Sequence, residues 1–305
     1  MTKSVSLPPP AMRARLSLEG LSVGDTFGES FFGEPVAAVA RIERRELREP
    51  PWRYTDDTEM ALSVTELLCE RGAIEQDELA RRFAERMTPG RGYGRGAYEL
   101  LTAVREGTRW QSASRAGFRG MGSFGNGAAM RVAPLGAYFA ESPRAVVIEE
   151  AKKSAEVTHA HPEGIAGAIA VAAAAQLSWQ TRSAATLGAS WLEEVRDAVP
   201  AGYTRTGIDE ALALGAGVDV VEAAKVLGNG SGVTAPDTVP LCLWVVAHRS
   251  ATFEDALWTV VRALGDRDTT AAIVGGIVAL RVGYEGIPPA WRAGRERWPV
   301  LEECN

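Results

Sequence analysis

The sequence predicts an all-α protein, a single large orthogonal helical bundle. Apolar residues recur at helical spacing through most of the 305 residues, and few runs alternate apolar and polar residues as half-buried strands do. No repeat of fixed period is visible and no biased linker divides the chain. We therefore expect a flexible lead at residues 1–12 and one domain over residues 13–305.

The helices follow from their periodicity and end signals, such as Gly72 at the C-terminal position of the third helix. Early helices are predicted over residues 13–32, 36–47, 58–69 and 77–86, and over a segment that runs through Val104. Later helices are predicted over residues 145–157, 162–177, 185–199, 206–214, 221–227, 239–248, 253–262 and 269–282.

Two predicted helices contain glycines, which cost about 1 kcal/mol each relative to alanine in a helix interior. Gly164 and Gly167 belong to the helix at 162–177, and Gly275 and Gly276 to the one at 269–282. We expect these glycines to permit close helix packing and do not read the faces as cofactor pockets.

Composition restricts the class of protein. With 46% hydrophobic and 24% charged residues the chain is typical of a soluble globular protein. The net charge of −6 disfavours a nucleic-acid partner, although it does not forbid one. Three sparse cysteines, no apolar leader and no apolar run of roughly 20 residues predict a cytoplasmic protein without a membrane segment or a disulfide framework.

Two acidic motifs stand directly before helices. Thr55-Asp56-Asp57-Thr58 precedes the third helix, and Asp266-Arg267-Asp268-Thr269 precedes the last one. Helix capping and the helix dipole explain either motif alone. Two helix starts with paired carboxylates and a hydroxyl exceed what capping requires, so we infer a metal site.

The geometry of these motifs favours two ions. Consecutive helical residues point about 100° apart, so Asp56 and Asp57 would serve two ions, or one would bind metal while the other accepts a proton. Asp266 and Asp268 can converge from the opposite wall. Oxygen ligands suit Mg²⁺, or Mn²⁺, rather than zinc, and two such ions roughly 3.5–4 Å apart would support hydrolysis.

Six segments occur in one order along nearly the whole chain, and together they resemble the ADP-ribosylglycohydrolase family. That family includes the dinitrogenase reductase-activating glycohydrolase and the ADP-ribosyl-acceptor hydrolases. The segments are Gly20-Leu21-Ser22-Val23-Gly24-Asp25-Thr26-Phe27-Gly28, Tyr54-Thr55-Asp56-Asp57-Thr58, Gly122-Ser123-Phe124-Gly125-Asn126-Gly127-Ala128-Ala129-Met130-Arg131, Thr158-His159-Ala160-His161-Pro162, Pro236-Asp237-Thr238-Val239-Pro240 and Gly265-Asp266-Arg267-Asp268-Thr269-Thr270-Ala271.

The resemblance implies roles for individual residues. The implied ligands of a two-magnesium centre are Thr55, Asp56, Asp57, Asp266, Asp268 and Thr269. The implied binding loop for the distal ribose and diphosphate of ADP-ribose is Gly122, Ser123, Phe124, Gly125 and Asn126, with His159 near the substrate. Glycines suit the loop because backbone N–H groups can then approach phosphate oxygens.

Several residues keep two interpretations. His159 and His161 have the spacing of a metal pair, but a turn is the simpler interpretation of His161 because no third soft ligand is near. Asp25 either supports the active-site entrance, as the resemblance implies, or caps a helix. Arg131 is expected to orient carboxylates through bidentate bonds.

Two departures from the family pattern concern the site. The family commonly has a glutamate where this chain has Phe32, so we name Glu34 as the candidate gating or acid residue, in addition to Asp57 and Asp268 as catalytic carboxylates. Arg267 stands between two aspartates, where it would pair with them, compete with metal or contact a substrate phosphate.

The resemblance implies a metal-dependent hydrolase that removes ADP-ribose from a modified protein or another acceptor by cleaving the glycosidic bond at C1″ of the distal ribose. Arg267 and the missing glutamate leave the alternative of a catalytically silent ADP-ribose-binding homologue. A third possibility is hydrolysis of a small-molecule or nucleic-acid-linked ADP-ribosyl N-glycoside. The sequence does not identify the acceptor or the oligomeric state.

Overall fold

The structure is a computed structural model that describes residues 8–299 and 301. Those residues form helices and no strand, with only two isolated β-bridges, so the all-α prediction is confirmed. The α-helices are α1 Pro10–Glu29, α2 Pro35–Glu43, α3 Asp56–Arg71, α4 Gln76–Arg86, α5 Arg95–Arg105, α6 Trp110–Ala116, α7 Ala133–Tyr138, α8 Arg144–Glu156, α9 Pro162–Gln180, α10 Gly188–Ala198, α11 Tyr203–Leu214, α12 Val220–Leu227, α13 Ala235–Arg249, α14 Phe253–Arg262, α15 Arg267–Val282 and α16 Pro289–Gly294.

Every predicted helix is present, with ends within four residues of the prediction. Helix α1 begins at Pro10, so residues 10–12 are helical and do not belong to the predicted lead; residues 1–7 lie outside the described part of the chain. Helix α13 begins four residues early because the Thr234 hydroxyl accepts a hydrogen bond from the Asp237 N–H at 3.3 Å and caps it. The division into a lead and a single domain stays a prediction.

Three short helices were not predicted. Helices α6, α7 and α16 have seven, six and six residues. Segments of this length contain fewer than two full turns, and they carry too little periodicity to be recognised.

A close helix contact brings α1 against α15 through small residues. A Cβ atom added at Gly24 would lie 2.1 Å from the carbonyl oxygen of Ala271, and one added at Gly28 would lie 2.1 Å from that of Arg267. The two backbones therefore touch along this line. The packing sets the middle of α1 beside the N-terminal end of α15.

The glycines of the interior helices have packing reasons, as predicted. A Cβ atom at Gly164 would lie 2.9 Å from the carbonyl oxygen of Ser123, and one at Gly167 would lie 2.6 Å from the Ala235 methyl group. Gly275 faces the backbone of Gly20 and Gly276 faces Ala133.

The buried side chains form one large hydrophobic cluster and one small one. Most of α9, α13 and α15 is buried, so these helices form the centre of the fold. None of the described helices is long and apolar enough to cross a membrane. Cys242 is a buried free thiol, whereas Cys69 is disulfide-bonded, contrary to the expectation from the sparse cysteines; Cys304 lies outside the described residues.

Candidate active site

The beginning of α3 is fixed by a carboxylate in the middle of α1. Asp25 is fully buried and accepts hydrogen bonds from the backbone N–H and hydroxyl groups of both Thr55 and Thr58, at distances of 2.5 to 3.2 Å. Four donors satisfy both oxygens of Asp25. Of its two interpretations, the contacts support a capping role, but on α3 rather than on its own helix.

The two acidic motifs lie near enough for their charges to interact, since the charge of Asp268 acts on Asp57 and that of Asp266 acts on Asp56. Asp56 and Asp57 lie in the first turn of α3, and Asp266 and Asp268 lie at the start of α15. Burial first, and then the charge of Asp268, raises the pKa of Asp57 well above its ordinary value. These four residues and Asp25 are named the aspartate cluster.

The aspartate cluster forms no ion pair within the described part of the chain. Among the described residues no Lys, Arg or His forms an ion pair with any of its members. Oδ1 of Asp57 is buried and has no hydrogen-bond partner. Burial, followed by the charge of Asp25, raises the pKa of Asp56 to about 8, and burial followed by the charge of Asp266 raises that of Asp268. The cluster therefore carries an unmet demand for positive charge.

A second layer of contacts orients Asp266. The side-chain amide of Asn126 donates to Oδ2 of Asp266 at 2.7 Å and to the Thr238 hydroxyl at 3.1 Å. The backbone N–H of Asp266 donates to the carbonyl of Asn229 at 3.1 Å, and a Cβ atom at Gly230 would lie 2.6 Å from that of Asp266. Asn126 thus joins the Gly-rich loop to the aspartate cluster.

The Gly-rich loop from Gly122 to Gly127 closes around His159. A Cβ atom at Gly125 or at Gly127 would lie 3.2 Å from Nε2 of His159, and one at Gly122 would lie 2.8 Å from the Ala160 methyl group. The structure therefore brings His159 to the predicted loop. His161 caps α9 by accepting from the Glu163 N–H at 3.1 Å, which agrees with the turn interpretation and not with a metal pair.

Arg131 holds the loop and the histidine together. It donates to the carbonyl oxygens of Gly127 and Ser154 and, at 2.9 Å, to the Thr158 hydroxyl. The prediction that Arg131 orients carboxylates is wrong, because none of its hydrogen bonds goes to a carboxylate. Burial lowers its pKa to about 9, so it remains a cation at neutral pH.

The contacts of Thr158 bear on the tautomer of His159. The Thr158 hydroxyl accepts from Arg131 and lies 2.7 Å from Nδ1 of His159. Burial, and secondarily the charge of Arg131, lowers the pKa of His159 to about 3, so the ring is neutral. If the Thr158 hydroxyl donates to Nδ1, the ring proton is on Nε2, beside Gly125 and Gly127.

A second loop, residues 90–96, lies over Asp56. Its backbone carbonyl at Arg91 accepts from the Asp56 N–H at 2.7 Å, and a Cβ atom at Gly92 would lie 3.3 Å from Oδ1 of Asp56. The Tyr93 hydroxyl donates to Glu59 at 2.8 Å, and this carboxylate also accepts from the Thr88 N–H. The loop is therefore fastened to the first turns of α3.

The structure excludes one of the three expectations for Arg267 and gives Glu34 a capping contact. Arg267 forms no ion pair with Asp266 or Asp268; its guanidinium lies 4.4 Å above the ring of Phe32. Glu34 is exposed and caps α2, accepting from Val36 N–H at 3.1 Å and Ala37 N–H at 2.7 Å. These contacts give Glu34 a structural role, and its catalytic assignment stays a prediction without structural support.

Several residues of the site were not found from the sequence. Asn229 and Gly230 support the aspartate cluster from the α12–α13 connection, Thr238 in α13 accepts a hydrogen bond from Asn126, and Glu59 anchors the 90–96 loop. The Gly-rich run Gly228-Asn229-Gly230-Ser231-Gly232 was a usable signal, because Gly228 and Gly230 have positive φ. Glu59 gave no signal, since it lies in a regular helix.

The fold and site define a class: an all-α protein in which two helix starts and two Gly-rich loops surround an acidic centre. The ADP-ribosylglycohydrolase family model matches residues 7–305. The bovine protein named ADP-ribosylhydrolase ARH3 is 32% identical over 95% of this chain and 91% of its own length. An uncharacterised protein of Archaeoglobus fulgidus is 31% identical over 93% of this chain and 92% of its own.

A solved structure titled "ADP-ribosylglycohydrolase-related protein complex" superposes with a TM-score of 0.65, covers 96% of this chain and 95% of its own, and is 22% identical. That likeness shows a shared fold. From the family model and the relatives together, the chain belongs to the ADP-ribosylglycohydrolase family. It is a hydrolase.

Proposed function

We propose that this hydrolase removes ADP-ribose from a modified acceptor by Mg²⁺-dependent cleavage of the glycosidic bond at C1″ of the distal ribose. The observation that carries the proposal is the aspartate cluster: Asp25 and Asp57 are buried, no cationic side chain among the described residues forms an ion pair with the cluster, and Oδ1 of Asp57 has no hydrogen bond. A buried carboxylate oxygen without a partner is costly unless an ion binds it. The relatives named ADP-ribosylhydrolase support the choice of substrate.

The donor set fits magnesium. No three Asp, Glu, His or Cys side chains among the described residues converge as a ready-made metal-ligand group. Mg²⁺ does not need one, because it commonly uses one or two carboxylates and keeps several waters. Asp57, Asp268, Asp56 and Asp266 would provide the carboxylates, and Thr55 and Thr269 the hydroxyls, for two ions; Mn²⁺ has similar preferences.

Two bound cations would supply charge neutralisation and lower the pKa of a nearby water. The protein groups perform the remaining steps. Asp57 or Asp268 accepts a proton from the water that attacks C1″, the bond from C1″ to the acceptor breaks, and the acceptor leaves with the electron pair. Carboxylates beside the ring stabilise the positive charge that develops there, as in other glycoside hydrolysis.

The loop from Gly122 to Gly127 is the proposed seat of the ribose and diphosphate. Its glycines leave backbone N–H groups accessible to phosphate oxygens. The Nε2–H of His159 is the proposed uncharged donor of a further hydrogen bond to the substrate at this loop. In this proposal the diphosphate binds at the loop from Gly122 to Gly127, and the scissile bond lies beside the aspartate cluster.

The test is release of ADP-ribose from defined serine-, arginine- and nucleotide-linked substrates in the presence of Mg²⁺. Asp57→Asn and Asp268→Asn should lose at least a hundredfold in kcat while keeping the fold, and Asp209→Asn, an exposed control, should keep activity. Calorimetry with ADP-ribose separates the alternatives: tight binding without turnover on any substrate would identify a silent binding homologue. Absence of both binding and turnover would overturn the proposal.

A further inference from the structure

The guanidinium of Arg267 lies at the edge of the aspartate cluster. No carboxylate among the described residues forms an ion pair with it. It lies over the Phe32 ring at 4.4 Å, and no hydrogen bond from it exists among the described residues. Its Nε is buried and unpartnered. Five N–H donors are held in a fixed fork, so this geometry leaves a ready site for an oxyanion.

The stack on Phe32 explains why the guanidinium does not join its neighbours on the chain. Asp266 and Asp268 flank it in sequence, yet neither is within ion-pair distance. The ring of Phe32 is 39% exposed and follows the end of α1. A cation–π contact stabilises the guanidinium in this position. Arg267 is therefore kept on the outer side of the cluster rather than inside it.

Further arginines surround the same place. Burial, followed by the charge of Asp25, raises the pKa of Glu29, and the charges of Arg48, Arg267 and Arg53 oppose that shift. All three guanidinium groups therefore act on one carboxylate at the end of α1. Neither Arg48 nor Arg53 forms a salt bridge within the described residues. Arg48, Arg53 and Arg267 therefore lie near Glu29, between the end of α1 and the start of α15.

We infer that Arg267, set by Phe32, selects acceptors that carry negative charge beside the scissile bond and disfavours cationic acceptors. The inference rests on the proposed function and names its substrate class. The loop from Gly122 to Gly127 is the proposed seat of the diphosphate, which leaves Arg267 for the acceptor side. A phosphate or a carboxylate would satisfy its N–H donors, whereas the guanidinium of an arginine-linked acceptor would be repelled.

The experiment compares kcat/KM for two serine-linked ADP-ribosyl peptides that differ only in the flanking residues, glutamate or lysine. We expect the wild type to prefer the glutamate peptide at least tenfold, and this preference should shrink as salt rises. Arg267→Gln should reduce the ratio at least fivefold, and Arg267→Lys should keep about half of it. Arg292→Gln is the matched control, because Arg292 also stacks on an aromatic ring, at Tyr284, beyond the other end of α15.

A binding measurement separates selectivity from catalysis. Calorimetry in EDTA should give tighter binding of ADP-ribose 1″-phosphate than of ADP-ribose, and Arg267→Gln should remove the difference. ADP-ribose 1″-phosphate tests a phosphate, and the glutamate peptide tests a carboxylate. A wild-type ratio near one, or a ratio unchanged in Arg267→Gln, would overturn the inference while leaving the proposed function intact. No hydrolysis of either peptide would instead contradict the proposed function.

Discussion

The side-chain amide of Asn126 donates a 2.7 Å hydrogen bond to Oδ2 of Asp266, and this contact joins the Gly-rich loop to the aspartate cluster. The loop was predicted to bind the substrate and the aspartate to bind metal. One hydrogen bond therefore connects the two halves of the proposed site. Such outer contacts fix the direction in which a ligand oxygen points.

Removing this contact should weaken metal binding and activity together. Asn126→Ala leaves Asp266 free to rotate, and we expect a 10- to 100-fold loss in Mg²⁺ affinity or activity, the usual cost of losing such a partner. The measurement is the Mg²⁺ concentration that gives half-maximal hydrolysis. Asn229→Ala keeps the backbone carbonyl that binds the Asp266 N–H and should shift this concentration less. Equal shifts in the two variants would argue against a specific role of Asn126.

Asp25→Asn should destabilise the fold. The carboxylate accepts from four donors on Thr55 and Thr58, and an amide offers one acceptor oxygen in place of two. Buried donors would lose their partners, so the free energy of unfolding should fall by about 2–3 kcal/mol. Urea unfolding of Asp25→Asn and of the exposed control Asp209→Asn checks this. A loss below 0.5 kcal/mol would mean that the four bonds do not stabilise the start of α3.

The stability of metal-free protein should fall as pH rises toward 8. The pKa of Asp56 is raised from 3.8 to about 8, so the stability linked to its protonated form is complete below pH 3.8 and is lost as pH passes about 8. Asp56→Asn should flatten the dependence and add about 1–2 kcal/mol at pH 8, the usual gain when a strained functional site is relieved. Urea unfolding in EDTA between pH 6.5 and 8 measures it.

The range from pH 6.5 to 8 avoids the titration of His159, whose effect on stability has the opposite sign. Its pKa is lowered from 6.5 to about 3, so the neutral ring contributes stability that is present above pH 6.5 and lost as pH falls toward 3. A slope in Asp56→Asn equal to that of the wild type between pH 6.5 and 8 would contradict the assignment to Asp56.

Thr158→Val should disturb the histidine without touching the aspartates. The variant removes the hydroxyl that accepts from Arg131 and shares a hydrogen bond with Nδ1 of His159. Both ring tautomers then become accessible, and we expect KM for an ADP-ribosyl substrate to rise about tenfold, equivalent to one hydrogen bond of roughly 1.4 kcal/mol. Long-range ¹H–¹⁵N NMR reads the tautomer directly. Thr158→Ser keeps the hydroxyl and should resemble the wild type. An Nδ1–H tautomer of His159 in the wild-type protein would contradict donation from the Thr158 hydroxyl to Nδ1.

Much of this site was predictable because its chemistry is local in the sequence. The acidic motifs carry their own N-terminal helix signals, and Gly72 and Gly122 mark turns through glycine's tolerance of positive φ. What was missed depends on contacts between distant segments. The stack of Arg267 on Phe32 and the bonds from Arg131 to Thr158 join residues that no local pattern relates.

The helices differ in how closely their bounds were predicted. Long segments such as α9 and α14 show their period over several turns and were predicted closely. Helix α13 was predicted to begin at Val239, four residues too late, because the Thr234 cap that sets its start was not recognised.

We propose above all that the aspartate cluster binds magnesium and supports hydrolysis. The most direct test is the initial rate of ADP-ribose release by EDTA-treated protein before and after Mg²⁺ is restored, with Ca²⁺ as the comparison ion. We expect that EDTA abolishes the rate and that Mg²⁺ restores it in wild-type protein but not in Asp57→Asn. A rate that EDTA leaves unchanged would contradict a magnesium-dependent hydrolysis at the aspartate cluster.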